Sequence, residues 1–184
     1  VEAIGIATFG PLDLEKGTII NTSNSPKSSI SLRESLKNAF GYSVVFLNDA
    51  TAATLGEYFF GAGERHANLV YLTLSTGIGA GILADGHLLL GKDGNAGEVG
   101  HMTVDPAERL ACGCGKKGHW EAYCSGQNLP NFAKLIVEDI SSSGKLGRFS
   151  NSSLFGTTEA LTSEIICREA HNKDELAQKI IDEV

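Results

Sequence analysis

The chain has 184 residues, 15 Lys and Arg against 22 Asp and Glu, a formal net charge of −7 and 42% hydrophobic residues. That suffices for one sizeable core or two small lobes, while the acidic balance argues against nucleic acid or an anionic membrane surface as the main partner. No apolar run of about eighteen residues is present to cross a membrane. The opening VEAIGIATFGP lacks the basic start and long apolar stretch of a secretory signal. The four cysteines suit a reducing, cytoplasmic compartment better than a disulfide framework.

In chain order, AIGIATFG reads as a buried strand ending at a Gly10-Pro11 turn. Residues 12–20, LDLEKGTII, read as a hairpin around Lys16-Gly17, and 21–29, NTSNSPKSS, as a polar loop. Ser31 is expected to cap a helix, LRESLKNAF, that stops at Gly41. YSVVFLND reads as a second buried strand ending in Asn48 and Asp49, followed by a small-residue helix, ATAATLGEYFFGAG. NLVYLTLSTGIGAGILADGHLLLG reads as a strand, a Gly-rich turn, a returning strand, a tight turn at Asp85-Gly86 and a short strand. Residues 121–140 and 158–184 are helical by period, separated by the loop SSSGKLGRFSNSS. No solenoid repeat is present, and strands alternating with helices indicate an α/β protein. The first residue lies inside a strand-like run and the last ones inside an amphipathic helix, so a fragment of a longer protein is expected.

Four places can carry chemistry. Asp49 ends a strand where α/β folds place ligands, a position that equally suits a helix N-cap. STGIGAG (75–81) offers Thr76 and the N–H groups of Gly77 and Gly79 as a nest for phosphate oxygens; a plain glycine hairpin turn is the alternative. GNAGEVGH places Glu98 and His101 three residues apart, on one face if the segment is helical. Finally, His101, Cys112, Cys114 and His119 make a full tetrahedral set, which favours a structural metal over a catalytic one. Buried thiols and surface histidines are the other reading, and Cys124 and Cys167 read as buried thiols with no site role.

The segments LNDATAATLGE, TLSTGIGAGILADGHLLLGKDGNAGEVGHM and CGCGKKGHWEAYCSG, with GIATFGPLD upstream, resemble the signatures of the ROK sugar kinases in order and spacing. GHWEAYCSG in particular resembles the archaeal glucokinase and hexokinase branch. The resemblance implies an actin-like, ribonuclease-H-like ATPase fold with two lobes around a sugar-binding cleft, residues 1–47 belonging to the small lobe and 48–184 to the large one. It implies Asp49 as general base and Gly10, Pro11, Asn48, Asp49, Glu98, His101 and Glu121 as sugar contacts. It also implies nucleotide phosphates at Thr76, Gly77 and Gly79, zinc at His101, Cys112, Cys114 and His119, and Mg²⁺ with ATP. His119 stands where the family carries its last cysteine, which changes the charge and softness of the set. Two family segments, the N-terminal DxGGT phosphate loop and the C-terminal nucleotide segment, have no counterpart. The expected activity is ATP-dependent phosphorylation of a hexose at its 6-hydroxyl, by a homo-oligomer, dimer or tetramer, without nucleic acid or membrane as partner. A sugar-responsive repressor of the same family is the alternative.

Overall fold

A computed structural model of the chain describes residues 1–22, 25–156 and 160–184. Among these residues the strands form three sheets, β1 (Ala3–Thr8) with β5 (Ser43–Asn48), β2 (Leu12–Asp13) with β3 (Thr18–Thr22) and β4 (Ser25–Ser31), and β6 (Leu69–Leu74) with β7 (Ile78–Ala84) and β8 (His87–Leu88), and the backbone divides into two compact units. The first unit comprises Val1–Thr73 with Gly79–Val99, and the second Leu74–Ile78 with Gly100–Val184. No helix among the described residues is long and apolar enough to cross a membrane.

In the first unit β1 (Ala3–Thr8) and β5 (Ser43–Asn48) pair in parallel, from Ala3 opposite Ser43 to Thr8 opposite Asn48. Both read as buried strands in the sequence, yet Ala3, Gly5, Ala7 and Val45 are exposed. Ile4, Ile6 and Phe46 alternate with them on the other face, where Ile6 and Phe46 pack with Leu12 and Ile19. β2 (Leu12–Asp13) turns at Lys16-Gly17 into β3 (Thr18–Thr22), which pairs with β4 (Ser25–Ser31). The polar segment 21–29 is therefore largely strand, apart from residues 23–24, which lie outside the described residues. Polar residues break the apolar alternation that marks a strand in sequence, but the backbone ladder does not need it. Leu12, Ile19 and Phe46 form this unit's buried cluster.

Helix α1 (Arg33–Phe40) follows Leu32, not a Ser31 cap: Ser31 ends β4, and its carbonyl accepts the Ser35 hydroxyl. Gly41 closes α1 in the left-handed region, as its position suggested. Helix α2 (Asp49–Phe60) packs on β1 and β5 and also meets β7 closely. There Gly81 is obligatory, because a β-carbon would fall 2.5 Å from the Ala50 carbonyl oxygen and 2.9 Å from Thr51 Cα. β6 (Leu69–Leu74), β7 (Ile78–Ala84) and β8 (His87–Leu88) run as the sequence indicated. The turn between β7 and β8 has positive φ at both Asp85 and Gly86, the hairpin geometry expected of Asp-Gly.

The second unit is built around α3 (Glu121–Cys124), α4 (Leu129–Ser142), α5 (Ser163–His171) and α6 (Glu175–Asp182). Residues 121–140 are thus two helices, broken where Ser125 turns extended. The 158–184 segment, whose first two residues lie outside the described set, is likewise two helices, broken where Lys173 takes a positive φ. α4 buries Leu129, Phe132, Ala133 and Ile136 at helical spacing. They join Tyr123, Phe149, Ile166, Leu176 and Ile180 in the larger core, each large apolar side chain contributing roughly 1.5–3 kcal/mol by leaving water. Thr162 and Asp174 cap α5 and α6, accepting the N–H groups of Ile165 and Ala177. Cys124 is half-buried and Cys167 exposed, so the expectation of two buried thiols fails. Cys167 directly follows the fully buried Ile166, and one step along a helix turns a side chain about 100° away.

Candidate functional site

In the first unit the parallel register stops β1 and β5 at the same level, and ligands of open α/β sheets bind at such carboxyl ends. After β1 the chain passes through Phe9 and a cis Gly10-Pro11 bond, and after β5 it enters α2 at once. Asn48 is the N-cap of α2, its Oδ1 accepting the N–H groups of Ala50 at 3.0 Å and Thr51 at 3.3 Å. The cap role open to Asp49 in the sequence therefore belongs to its neighbour. Asp49 is exposed, and its Oδ1 accepts the Ala50 N–H at 2.8 Å. No hydrogen bond to its second oxygen occurs among the described residues, leaving a carboxylate oxygen available to a hydroxyl. A β-carbon on Gly10 would lie 3.7 Å from Glu98 Oε1 and 3.8 Å from Asn48 Nδ2, so Gly10, Asn48 and Glu98 converge. Pro11 is exposed beside them in the chain, and Gly79 sits inside β7.

The second unit holds Thr76 and Gly77 in a bend closed by the Ser75 N–H donating to the Gly77 carbonyl at 3.0 Å. Gly77 does not have a left-handed φ. Its missing side chain makes room for Glu121 instead: a β-carbon would fall 2.6 Å from Glu121 Oε2. That oxygen accepts the Ile78 N–H at 3.0 Å. Nothing in the sequence signals this bond, because its partners are 43 residues apart.

His101 ends a 3₁₀ turn, Val99–His101. Cys112 and Cys114 sit on a tight loop in which the Cys112 N–H donates to the Lys116 carbonyl at 2.8 Å and Gly115 takes a left-handed φ of 87°. Isolated bridges pair Ala111 with Lys117 and Thr103 with His119. Together they bring ligand atoms of His101, Cys112, Cys114 and His119 within 4.8 Å of one another. The Cys112 Sγ to His101 Nδ1 distance is 3.6 Å and that of Cys114 Sγ to His119 Nδ1 3.3 Å. Around a tetrahedral ion with bonds of about 2.0–2.3 Å, neighbouring ligand atoms lie about 3.3–3.8 Å apart; these two distances fall in that range, and the four residues could hold one metal ion. Cys112 and His119 are buried and Cys114 exposed. Burial pushes the Cys112 thiol up to about 11, and its S–H is directed at Glu121 Oε1, 3.6 Å away.

Two residues with no site signal in the sequence anchor this loop. Asp105 accepts the N–H groups of Ala107 at 2.9 Å and Arg109 at 3.1 Å, and the Tyr123 hydroxyl donates to it. The Tyr123 hydroxyl, followed by the Arg109 N–H, holds the Asp105 carboxyl down at about 2. Tyr123 also accepts the Leu110 N–H at 3.1 Å and packs edge-on against Phe132, with ring centroids 5.7 Å apart. The loop is thus tied to the helical core through Asp105 and Tyr123.

The signature of the ROK family matches residues 1–184. The chain belongs to the ROK family. Over 137 residues this ROK chain is 46% identical to the glucokinase of Pyrobaculum calidifontis, a match covering 74% of this chain and 45% of that protein. It matches the crystal structure of a ROK family transcriptional regulator, a homologue of the E. coli MLC protein, with a TM-score of 0.80 at 29% identity. That match covers 99% of this chain and 43% of the regulator. It also matches the ROK family glucokinase of Streptomyces griseus, solved with glucose and AMPPNP, with a TM-score of 0.72 at 35% identity over 98% of this chain and 56% of that one. The α/β, actin-like fold class holds for this ROK chain. The chain spans about half the length, or less, of these relatives.

Proposed function

We propose that the whole protein is a hexose kinase, transferring the terminal phosphoryl group of ATP to the 6-hydroxyl of glucose or a related sugar. The observation that carries this reading is the convergence of Gly10, Asn48 and Glu98 where β1 and β5 end, with Asp49 opening the next helix. The 46% identity to a glucokinase supports it. Asp49 is the general base. A carboxylate is a weak base for an alcohol, so the hydroxyl proton moves late, as the new O–P bond forms. Gly10, Pro11, Asn48, Glu98, His101 and Glu121 orient the sugar. Directed bonds to several hydroxyls reject analogues that lack one, because a buried polar group is then left unpaired. Thr76 and the N–H groups of Gly77 and Gly79 face the nucleotide phosphates, and Mg²⁺ accompanies ATP.

Zinc is the ion assigned to His101, Cys112, Cys114 and His119. With four protein ligands it supplies structural cross-linking and no open position for a reactive water. The proposal extends to a lobe boundary between residues 47 and 48, a cytoplasmic location and a homo-oligomeric assembly, with no nucleic acid as partner. A sugar-responsive repressor is the second reading, favoured by the TM-score of 0.80 to a ROK regulator. On that reading the same residues bind sugar, and no base is needed, so the intact Asn48-Asp49 pair speaks for the kinase.

The test is phosphotransfer by the whole protein. ATP and Mg²⁺ should yield hexose 6-phosphate, and Asp49→Asn should lower turnover about a hundred- to ten-thousandfold while sugar affinity stays within about tenfold. Sugar binding without phosphotransfer, joined to sequence-specific DNA binding, would hand the chain to the repressor reading.

A further inference from the structure

We propose that Glu121 is a positioning residue for the Ser75–Ile78 turn, making nucleotide affinity depend on an occupied metal centre. The inference rests on the reading of that turn as the phosphate-facing segment. Within the turn, the backbone closes on itself through one bond, Ser75 N–H to the Gly77 carbonyl. Three further bonds to it come from residues 121–127. The Gly126 N–H donates to the Ser75 carbonyl at 2.7 Å, the Gln127 N–H to the Thr76 carbonyl at 3.3 Å, and the Ile78 N–H to Glu121 Oε2 at 3.0 Å.

That supporting segment starts at a metal ligand. α3 is a single turn whose first bonds run back to His119 and Trp120: the Ala122 N–H donates to the His119 carbonyl at 2.9 Å, and the Tyr123 N–H to the Trp120 carbonyl at 3.0 Å. A one-turn helix has little stability of its own and takes its position from what holds its ends. The other oxygen of Glu121 faces Cys112 Sγ at 3.6 Å, a second ligand of the same centre. The carboxylate therefore lies between the metal loop and the phosphate turn, held to the turn by the Ile78 N–H, and Gly77 leaves room for it. The Cys₂His₂ set adds a charge argument. Two thiolates and two neutral imidazoles leave a divalent ion formally neutral, so the Glu121 carboxylate meets no net negative centre.

A sugar contact and a turn brace make different demands, and nucleotide binding without sugar separates them. In the whole protein, the affinity for a non-hydrolysable ATP analogue is measured with no hexose present, together with hydrogen exchange at the Ile78 amide and metal content. Glu121→Ala should weaken nucleotide binding about tenfold or more, the scale of one lost charge-assisted hydrogen bond, and speed Ile78 exchange while metal stays bound. Glu121→Gln, which keeps an acceptor, should restore both to within about threefold. Chelation of the metal should reproduce the Glu121→Ala behaviour. If Glu121→Ala does not fold, Gly77→Ala displaces the same carboxylate from the other side and should act alike. Unchanged nucleotide affinity and unchanged Ile78 exchange, with sugar affinity alone reduced, would make Glu121 a sugar contact only and overturn the proposal. Faster Ile78 exchange with nucleotide affinity unmoved in both Glu121→Ala and Thr76→Val would overturn it through the phosphate reading of the turn.

Discussion

Asn48 and Asp49 are set by where β5 stops and α2 begins, a boundary fixed by a strand register and a two-bond cap. His101, Cys112, Cys114 and His119 are drawn instead from the stretch 101–119, made of the end of a 3₁₀ turn, bends and two isolated bridges. The first arrangement is held by regular structure that exists for other reasons. In the second, little regular structure is available, and a few cross-links take its place: Asp105 with Tyr123, Glu121 with Ile78 and, on the proposed reading, a metal ion held by the four residues. A site of the first kind should tolerate loss of any one functional side chain. A site of the second kind should fail as a unit when the proposed ion is lost.

Removing a proposed ligand of the ion gives the largest expected effect. Cys114 is exposed, and an exposed substitution normally costs within about 0.5 kcal/mol. On the proposal that Cys114 is a ligand of a structural ion, Cys114→Ala should cost on the order of 5 kcal/mol and release the metal, read by chemical denaturation and metal content. A cost near zero would erase the difference between the regions. Gly81→Ala comes next, since its β-carbon meets helix α2 backbone and overpacking of this kind costs about 1–3 kcal/mol. It should lower stability while leaving metal content unchanged. Asn48→Ala removes the two-bond cap of α2 and should cost about 1 kcal/mol, with weakened sugar binding and normal metal content.

Acid gives the smallest change. The folded Asp105 carboxyl stays ionised down to about 2, whereas its unfolded counterpart takes up a proton near about 3.9. The unfolded state then binds more protons, so the stability contributed by Asp105 is complete above about pH 4 and is lost as pH falls toward about 2. Tyr123→Phe removes the first cause of the depression and should flatten the fall in melting temperature across that window. An unchanged pH dependence in Tyr123→Phe would remove the Asp105–Tyr123 link from the account.

What the sequence made legible was local. Gly41 and Asp85-Gly86 announce their backbone geometry, and the strand-to-helix boundary at Asn48-Asp49 follows from apolar runs. The choice of cap at that boundary was not legible: Asn and Asp serve equally well, and the register of β5 selects Asn48. The breaks in 121–140 and 158–184 were hidden for a different reason. Ser125 turns extended and the Gly126 N–H bonds the Ser75 carbonyl, a partner 51 positions earlier, and no local pattern encodes that. The ligand set was visible because ligand chemistry requires particular residue types. The brace that Glu121 adds was not, since any carboxylate on a helix reads first as solvated surface.

The most direct test of this difference is metal content, measured on the whole protein purified without added metal and followed through chelation. The account predicts about one zinc ion per chain, lost together in Cys114→Ala, with a lower melting temperature once the ion is removed. A metal-free protein with an unaltered melting temperature and intact sugar binding would contradict it, and would return His101, Cys112, Cys114 and His119 to ordinary side chains of an irregular loop.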